Sequence, residues 1–300
     1  MEEIMLQTAN LSKKLETFVL NDIHFELPAG YICGLIGENG AGKTTLLQIL
    51  AGLYEYEGTI QLCGKEYRAN EARLQQEIGC VFHQEWFDEG DSLITNSRHY
   101  GTYYKNYDEV LLKSCFDRFH LDAKKSYRKL SKGEKLKFAL AFALAHHPKL
   151  LLLDEPSANF DPTFREAFHQ ILREFTADGT KSVILSTHIT SDVERFADYL
   201  LFLKDGRKIL YGDIETVRNQ YRMVAGENYR LKAFGSRLIY MEETSVGSRA
   251  LVENKCETYD STLKVWEPGV DELMYYLTKG AEHGTGNEIF EYHKRIFSDV

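Results

Sequence analysis

The nine residues Gly37-Glu38-Asn39-Gly40-Ala41-Gly42-Lys43-Thr44-Thr45 constrain this 300-residue chain more than any other segment. They follow the apolar run Tyr31 to Ile36 and precede the helical pattern LLQILAGL, so strand, glycine-rich loop and helix stand in direct succession. Glycines at 37, 40 and 42 let the backbone wrap closely, aiming successive N–H groups and a helix N-terminus at a β-phosphate. Lys43 then neutralises charge between the β- and γ-phosphates, and Thr44 offers a hydroxyl to Mg²⁺. Asn39 and Thr45 complete the loop as further phosphate contacts. A glycine-rich turn with a chance lysine explains the letters but not their place between strand and helix.

The rest of the chain supplies an α/β frame for such a loop. Ile4 to Ala9, Ile23 to Leu27 and Thr59 to Leu62 alternate apolar with polar residues between turn formers, which predicts an antiparallel subsheet. Tyr31 to Ile36, Leu150 to Leu153 and Val183 to Leu185 are continuous apolar runs, each leading into a turn and a helical pattern, as buried parallel strands do. Between Gln84 and Ser131 the apolar spacing becomes helical, at Val110, Leu111, Cys115, Phe116 and Phe119. A hairpin at Asp205-Gly206 closes the core near Gly212. Past Asp213, alternating pieces at Arg230 to Ala233 and Leu238 to Met241 read as strands and Val270 to Leu277 as a helix, making a small α+β appendage. Ala281 to Val300 reads as a terminal helix or a loosely docked tail.

Two acids end the most apolar strand. In LLLLDE an isolated buried carboxylate is costly unless a cation faces it, so Asp154 is placed to hold Mg²⁺ directly or through water. Glu155, one residue on, reaches an in-line water as general base or orients it for attack on the γ-phosphate. The plainer alternative is that both acids cap the next helix. His188 follows the strand SVILST, again at a carboxyl end where open α/β sheets bind ligands, and can hold γ-phosphate and water in register. A lone histidine there is more often structural; its company argues for function.

Leu130-Ser131-Lys132-Gly133-Glu134 opens a helix with apolar residues at Leu136, Leu140, Ala143 and Leu144. Ser131 with Glu134 is a capping-box pattern, which accounts for a well-started helix. It leaves Gly133 unexplained, because glycine weakens a first turn unless something must approach the backbone.

Taken in order, the phosphate loop, Gln84, LSKGE, LLLLDEP, SANFD and STH resemble the ABC ATPase set. The resemblance implies an ABC-type phosphate-loop NTPase core spanning residues 1–212, with an antiparallel β-subdomain, a helical subdomain at about 85–147 and an accessory region from 213 to 300. It also implies that Ser131, Gly133 and Glu134 of one subunit bind the γ-phosphate held by the phosphate loop of another. In the same way Gln84 resembles a metal and water sensor beside the surface that grips a membrane partner, and Ser157 and Asp161 resemble the loop linking the two sites. The chain departs from the family in two places. Lys132 stands where glycine is usual, and a cation near phosphate is compatible with activity. The family stacks adenine on an aromatic residue ahead of the loop, where SKKLETFVL places Leu15, with Phe18 displaced.

The stretches LSKGEKLKFALAFALAHHPKLLLLDEPSANFDP, STHITSDVERFADYLLFLKDGR and VDELMYYLTKG further resemble the ATPase subunits of bacterial ABC-2-type exporters of antibiotics, bacteriocins or amphipathic peptides. ATP and Mg²⁺ are the implied cofactors. The implied partners are a second ATPase subunit, identical or related, and a polytopic permease. Composition agrees with this: 36 basic against 45 acidic residues give a net charge of -9, which argues against nucleic acid as a partner. Five cysteines are scattered without a C-x-x-C pair, as reduced thiols are. MEEIMLQ carries neither a basic nor an apolar signal region, and no apolar stretch approaches the roughly 20 residues of a membrane span. The expected location is therefore cytoplasmic, at the inner face of the cell membrane through another chain. A translation-factor ATPase would carry two such cassettes and a chromosome-maintenance ATPase long heptads; this sequence has neither. A soluble ABC ATPase or nucleotide-dependent regulator not coupled to transport remains the alternative; Glu155 and His188 argue against a non-hydrolysing regulator.

Overall fold

A computed structural model of the chain describes residues 3–82, 86–244, 247–255 and 258–282. The first part of the chain forms β1 (Ile4–Lys14), β2 (Val19–Pro28), β3 (Ile32–Ile36), α1 (Lys43–Leu50), β4 (Glu57–Leu62), β5 (Lys65–Glu66), α2 (Glu71–Leu74) and β6 (Ile78–Val81). A helical stretch follows: α3 (Leu93–Gly101), α4 (Glu109–Phe119) and α5 (Lys132–Leu144). The chain then returns through β7 (Leu150–Asp154), α6 (Pro162–Thr176), β8 (Ser182–Ser186), α7 (Thr190–Phe196), β9 (Tyr199–Lys204) and β10 (Arg207–Asp213). Last come α8 (Ile214–Asn219), β11 (Tyr221–Gly226), α9 (Asn228–Lys232), β12 (Leu238–Thr244), β13 (Gly247–Glu253), β14 (Lys264–Trp266) and α10 (Val270–Glu282).

The central sheet has six strands in the order β10-β9-β3-β8-β7-β6, parallel except for β10 at its edge. Every residue of β3, β7 and β8 is buried, which is why these strands read as unbroken apolar runs. Their carboxyl ends carry the phosphate loop, the Asp154-Glu155 pair and the turn to His188. A second, antiparallel sheet β2-β1-β4-β5 covers α1, with Leu20, Ile23 and Ile60 facing Leu46, Leu47 and Leu50 in one core. Helices α3 to α5 pack around Phe138, which contacts the rings of Phe87, Phe116 and Tyr127. Local chemistry sets the helix ends: Asp108 accepts from the N–H groups of Val110 and Leu111 at the start of α4, and left-handed His120 stops it.

The C-terminal part contains a third sheet, β12-β13-β11-β14. One face, with Met223 and Leu251, packs on α10; the other, with Val224, Ala250 and Val252, packs on α9. Burial on both faces removes the apolar–polar alternation that would have announced β11 and β13 in the sequence. One expectation is overturned here: Arg230 to Ala233 is not a strand but belongs to α9 and its C-cap, with Arg230 and Leu231 donating to the Glu227 carbonyl. Only Leu231 of that five-residue helix is buried, and a single buried apolar residue fits either period. The expected tail from 283 onward lies outside the described residues.

Candidate active site

Strand β3 ends at Ile36 and the chain turns through Gly37, Gly40 and Gly42 with φ of 153°, 84° and 105°. At Gly37 a Cβ would lie 2.3 Å from the carbonyl oxygen of Leu203, so the loop there passes against neighbouring backbone that no side chain can clear. Gly42 is the N-cap of α1 and brings no capping side chain, leaving first-turn N–H groups to an incoming anion. Lys43 is buried, and its Nζ donates to the carbonyls of Gly37 at 2.8 Å and Glu38 at 3.2 Å. Burial pushes its pKa down, against the upward pull of Glu155 and Asp154. The ammonium thus folds back on its own loop, within reach of whatever phosphate the loop holds. Asn39 and Gly40 are exposed at the loop tip, Thr44 is exposed and Thr45 is half-buried behind it.

Asp154, at the end of β7, is buried, and both carboxylate oxygens have partners. Thr44 Oγ1 donates to Oδ2 at 2.8 Å and Ser186 Oγ donates to Oδ1 at 2.6 Å. The next residue leaves the strand abruptly: Glu155 has φ 47°, a left-handed conformation uncommon outside glycine. Its N–H is held by the Ser186 carbonyl at 3.1 Å and faces Ser186 Oγ at 3.0 Å. This turn carries the Glu155 carboxylate to 4.0 Å from Lys43 Nζ on one side and 3.1 Å from His188 Nδ1 on the other. Four of the residues singled out in the sequence, Lys43, Thr44, Asp154 and Glu155, therefore meet His188 at one sheet end. Ser186, which fastens them, was not singled out. Its signal was a small polar residue closing an otherwise apolar buried strand.

The chemistry of this set fits Mg²⁺, which takes oxygen ligands and is usually held by one or two carboxylates together with substrate phosphates. A threonine hydroxyl and a buried carboxylate already touch here. Among the described residues no cluster of three His, Cys, Asp or Glu side chains could hold a metal unaided.

The remaining predicted residues sit elsewhere. Ser131 caps α5 and Glu134 completes a capping box, its Oε2 accepting from Ser131 N–H at 2.8 Å and its Oε1 from Lys125 Nζ at 2.7 Å. Ser131 and Lys132 are exposed and Gly133 is half-buried, so this helix start faces outward. Asp161 caps α6 through the Phe164 N–H and lies 3.6 Å from Lys137. Gln84 lies outside the described residues. Phe18 lies on the loop's approach. A turn closed by Leu15 N–H on the Phe18 carbonyl brings the Phe18 ring so near Gly42 that a Cβ there would meet Phe18 Cζ at 2.8 Å. The sequence places Leu15 nearer the expected position; in the fold it is the Phe18 ring that lies beside Gly42.

The sequence pattern of the ABC transporter family matches residues 20–158. Two proteins named Nod factor export ATP-binding protein I, from Cupriavidus pinatubonensis and Burkholderia lata, are 35% and 34% identical to this chain over 66% and 68% of its length. The matched stretch spans 62% of the first relative and 69% of the second. The bacitracin transport ATP-binding protein BcrA of Enterococcus faecalis is 29% identical over 73% of each chain. A solved structure described as the ATP binding subunit of an ABC transporter is 27% identical, with a TM-score of 0.67, covering 72% of this chain and 92% of that one.

Proposed function

From the premise that this chain belongs to the ABC transporter family, as one of its ATP-binding, ATP-hydrolysing subunits, we propose that it drives export of an amphipathic molecule through a separate permease and works as a dimer. The observation that carries the hydrolytic reading is Glu155, set by a left-handed turn between the Lys43 ammonium and the His188 ring. The phosphate loop holds the β- and γ-phosphates, and Lys43 leaves its two carbonyl partners to meet them. Glu155 takes up the proton of, or orients, a water in line with the γ-phosphate, and His188 keeps water and phosphate in register. Thr44 and Asp154, with Gln84, would hold Mg²⁺ together with phosphate oxygens. That ion, when bound, neutralises charge developing on the transferred phosphoryl group. Phe18 is the aromatic residue against which the adenine stacks.

The other half of each site comes from the partner subunit, whose Ser131-Lys132-Gly133-Glu134 segment faces the γ-phosphate while Asp161 and its loop link the two centres. What supports this is the outward-facing start of α5. Binding drives closure only because the closed dimer holds ATP more tightly than the open one. Docking of the permease is supported by a groove of about 740 Å³ between the sheet edge and the helical stretch, with Phe82 and Trp86 on either side of the Gln84 segment and Tyr103, Tyr104 and Phe142 among its walls. Trp86 and Tyr103 are exposed, as large aromatic side chains awaiting a partner are. No described helix is long and apolar enough to cross a membrane, so a membrane location for this chain rests on that permease. The names of the relatives, which concern Nod factor and bacitracin, support export of a molecule with both polar and apolar parts.

Replacing Glu155 by Gln tests the hydrolytic reading. ATP binding should persist while turnover falls by about two to three orders of magnitude. A variant that turns over like the wild type would remove Glu155 from the chemistry.

A further inference from the structure

Helix α7 starts two residues after His188 and is gripped on three sides. Inward it lies directly on β3, because a Cβ on Gly34 would be only 2.7 Å from Val193 Cγ1. Towards the Glu155 turn, the buried Asp192 accepts from the equally buried Ser157 Oγ at 3.1 Å. A carboxylate withdrawn from water is costly unless hydrogen-bonded, so this link ties α7 firmly to the segment two residues past Glu155. His169 flanks it, Nε2 3.9 Å from Asp192 Oδ1.

The third grip belongs to the C-terminal unit. Thr190 and Glu194 are four residues apart and so share one face of α7. Thr190 Oγ1 donates to Asp271 Oδ1, and Glu194 Oε1 accepts from the Val270 N–H at 2.5 Å. Glu194 thereby caps α10 from another element. The residue before α10 is Gly269, where a Cβ would stand 2.9 Å from the same Glu194 oxygen, so its lack of a side chain makes room for the cap. Beneath these bonds Val193, Leu200 and Phe202 share one core with Val270, Leu273 and Leu277.

We propose that residues 213–282 act as a clamp on α7 that fixes the spacing of His188 and Glu155, with Thr190, Glu194 and Asp271 as positioning residues for ATP hydrolysis. This rests on the roles given above to Glu155 and His188. None of the clamp contacts involves the phosphate loop, so loosening the clamp acts on the chemical step and spares nucleotide affinity. A misplacement of catalytic groups by a fraction of an ångström to an ångström is the size of effect at stake.

The test is a Glu194→Ala/Asp271→Ala double variant of the full chain, reconstituted with its permease where turnover requires one. Expected is a fall in kcat of about tenfold with KM and ATP affinity within about twofold of wild type. Glu194→Gln, whose amide oxygen still accepts from Val270, should restore the rate. Lys204→Ala is the matched control, because Lys204 Nζ bonds the Thr278 carbonyl at 3.0 Å and Glu282 at 3.1 Å near the far end of α10. Wild-type kcat in the double variant overturns the clamp. So does an equal loss in Lys204→Ala, which would make α10 a stabilising cover only. Should the double variant fail to fold by circular dichroism, Thr190→Val, which keeps volume and loses only the Asp271 bond, decides in its place. Glu155→Gln run alongside separates the two ideas: turnover there defeats the site reading itself, whereas an inactive Glu155→Gln beside fully active clamp variants defeats the clamp alone.

Discussion

At the start of α1 the N-cap is Gly42, which satisfies none of the free N–H groups, and the surrounding loop is bound by Lys43 to its own carbonyls. At the start of α5 the N-cap is Ser131, whose side chain takes the Glu134 N–H while Glu134 takes the Ser131 N–H. The first helix start is uncapped, with Lys43 buried and Thr44 exposed, and is wired to Asp154 through Thr44 and to Glu155 through Lys43. The second is finished as a fold element, exposed, and bonded only locally in the contacts described for it, with Lys125 as its ionic partner. One is built to receive phosphate within its own chain. The other is already closed by its own capping box and has no structural need of a ligand. On the proposed reading, these two helix starts are the halves of a site completed between two chains.

The most severe way to break this comparison is Lys43→Ala. The account expects nucleotide affinity to fall by about two orders of magnitude or more, measured by equilibrium binding of a fluorescent ATP analogue, because the only buried cation of the loop is lost with its carbonyl bonds. Ser131→Arg attacks the other half. Binding by the isolated chain should stay within about twofold of wild type while turnover drops by about a hundredfold, since bulk at an exposed helix start obstructs only an incoming chain. If Ser131→Arg weakened binding as Lys43→Ala does, the two halves would not be separate.

Phe18→Ala sharpens the phosphate-loop half. Loss of a stacking face costs roughly 1–3 kcal/mol per base, so ATP affinity should fall by about five- to 150-fold with kcat little changed, and the preference for adenine over guanine should shrink. The smallest effect belongs to Ser131→Ala, which removes a cap worth about 1 kcal/mol and should lower the urea midpoint without changing ATP binding. Glu134 adds a pH signature. Its hydrogen bonds from Lys125, first, and from Ser131 N–H hold its carboxyl below the ordinary value of 4.5. The stability it contributes is therefore present above that unfolded value and lost as pH falls through the lower folded one. The gap in urea midpoint between wild type and Glu134→Gln should be open at about pH 7 and narrow as pH falls below the ordinary carboxyl range.

How much of this was legible beforehand follows the range of the interactions. The phosphate loop, the Asp154-Glu155 pair and the Ser131–Glu134 cap are written in consecutive residues, and the buried parallel strands announce themselves as apolar runs. The place of Phe18 beside Gly42 could not be read from the sequence, because it depends on a hairpin turn and not on a distance along the chain. Ser186 was missed because its partner Asp154 lies across the β7–β8 ladder, 32 residues away. In the C-terminal unit, burial on two faces hid β11 and β13, and a single apolar contact at Leu231 was too little to tell helix from strand. The Asp192–Ser157 link has no signal in the sequence at all, since nothing local requires an acid inside α7.

The division of the site between two chains is tested most directly by measuring ATPase rate against protein concentration, together with size exclusion of Glu155→Gln in MgATP. The account predicts a specific activity that rises with concentration and an ATP-trapped dimer of the variant that disappears on adding Ser131→Arg. A specific activity independent of concentration, from a chain that stays monomeric with ATP bound, would contradict it.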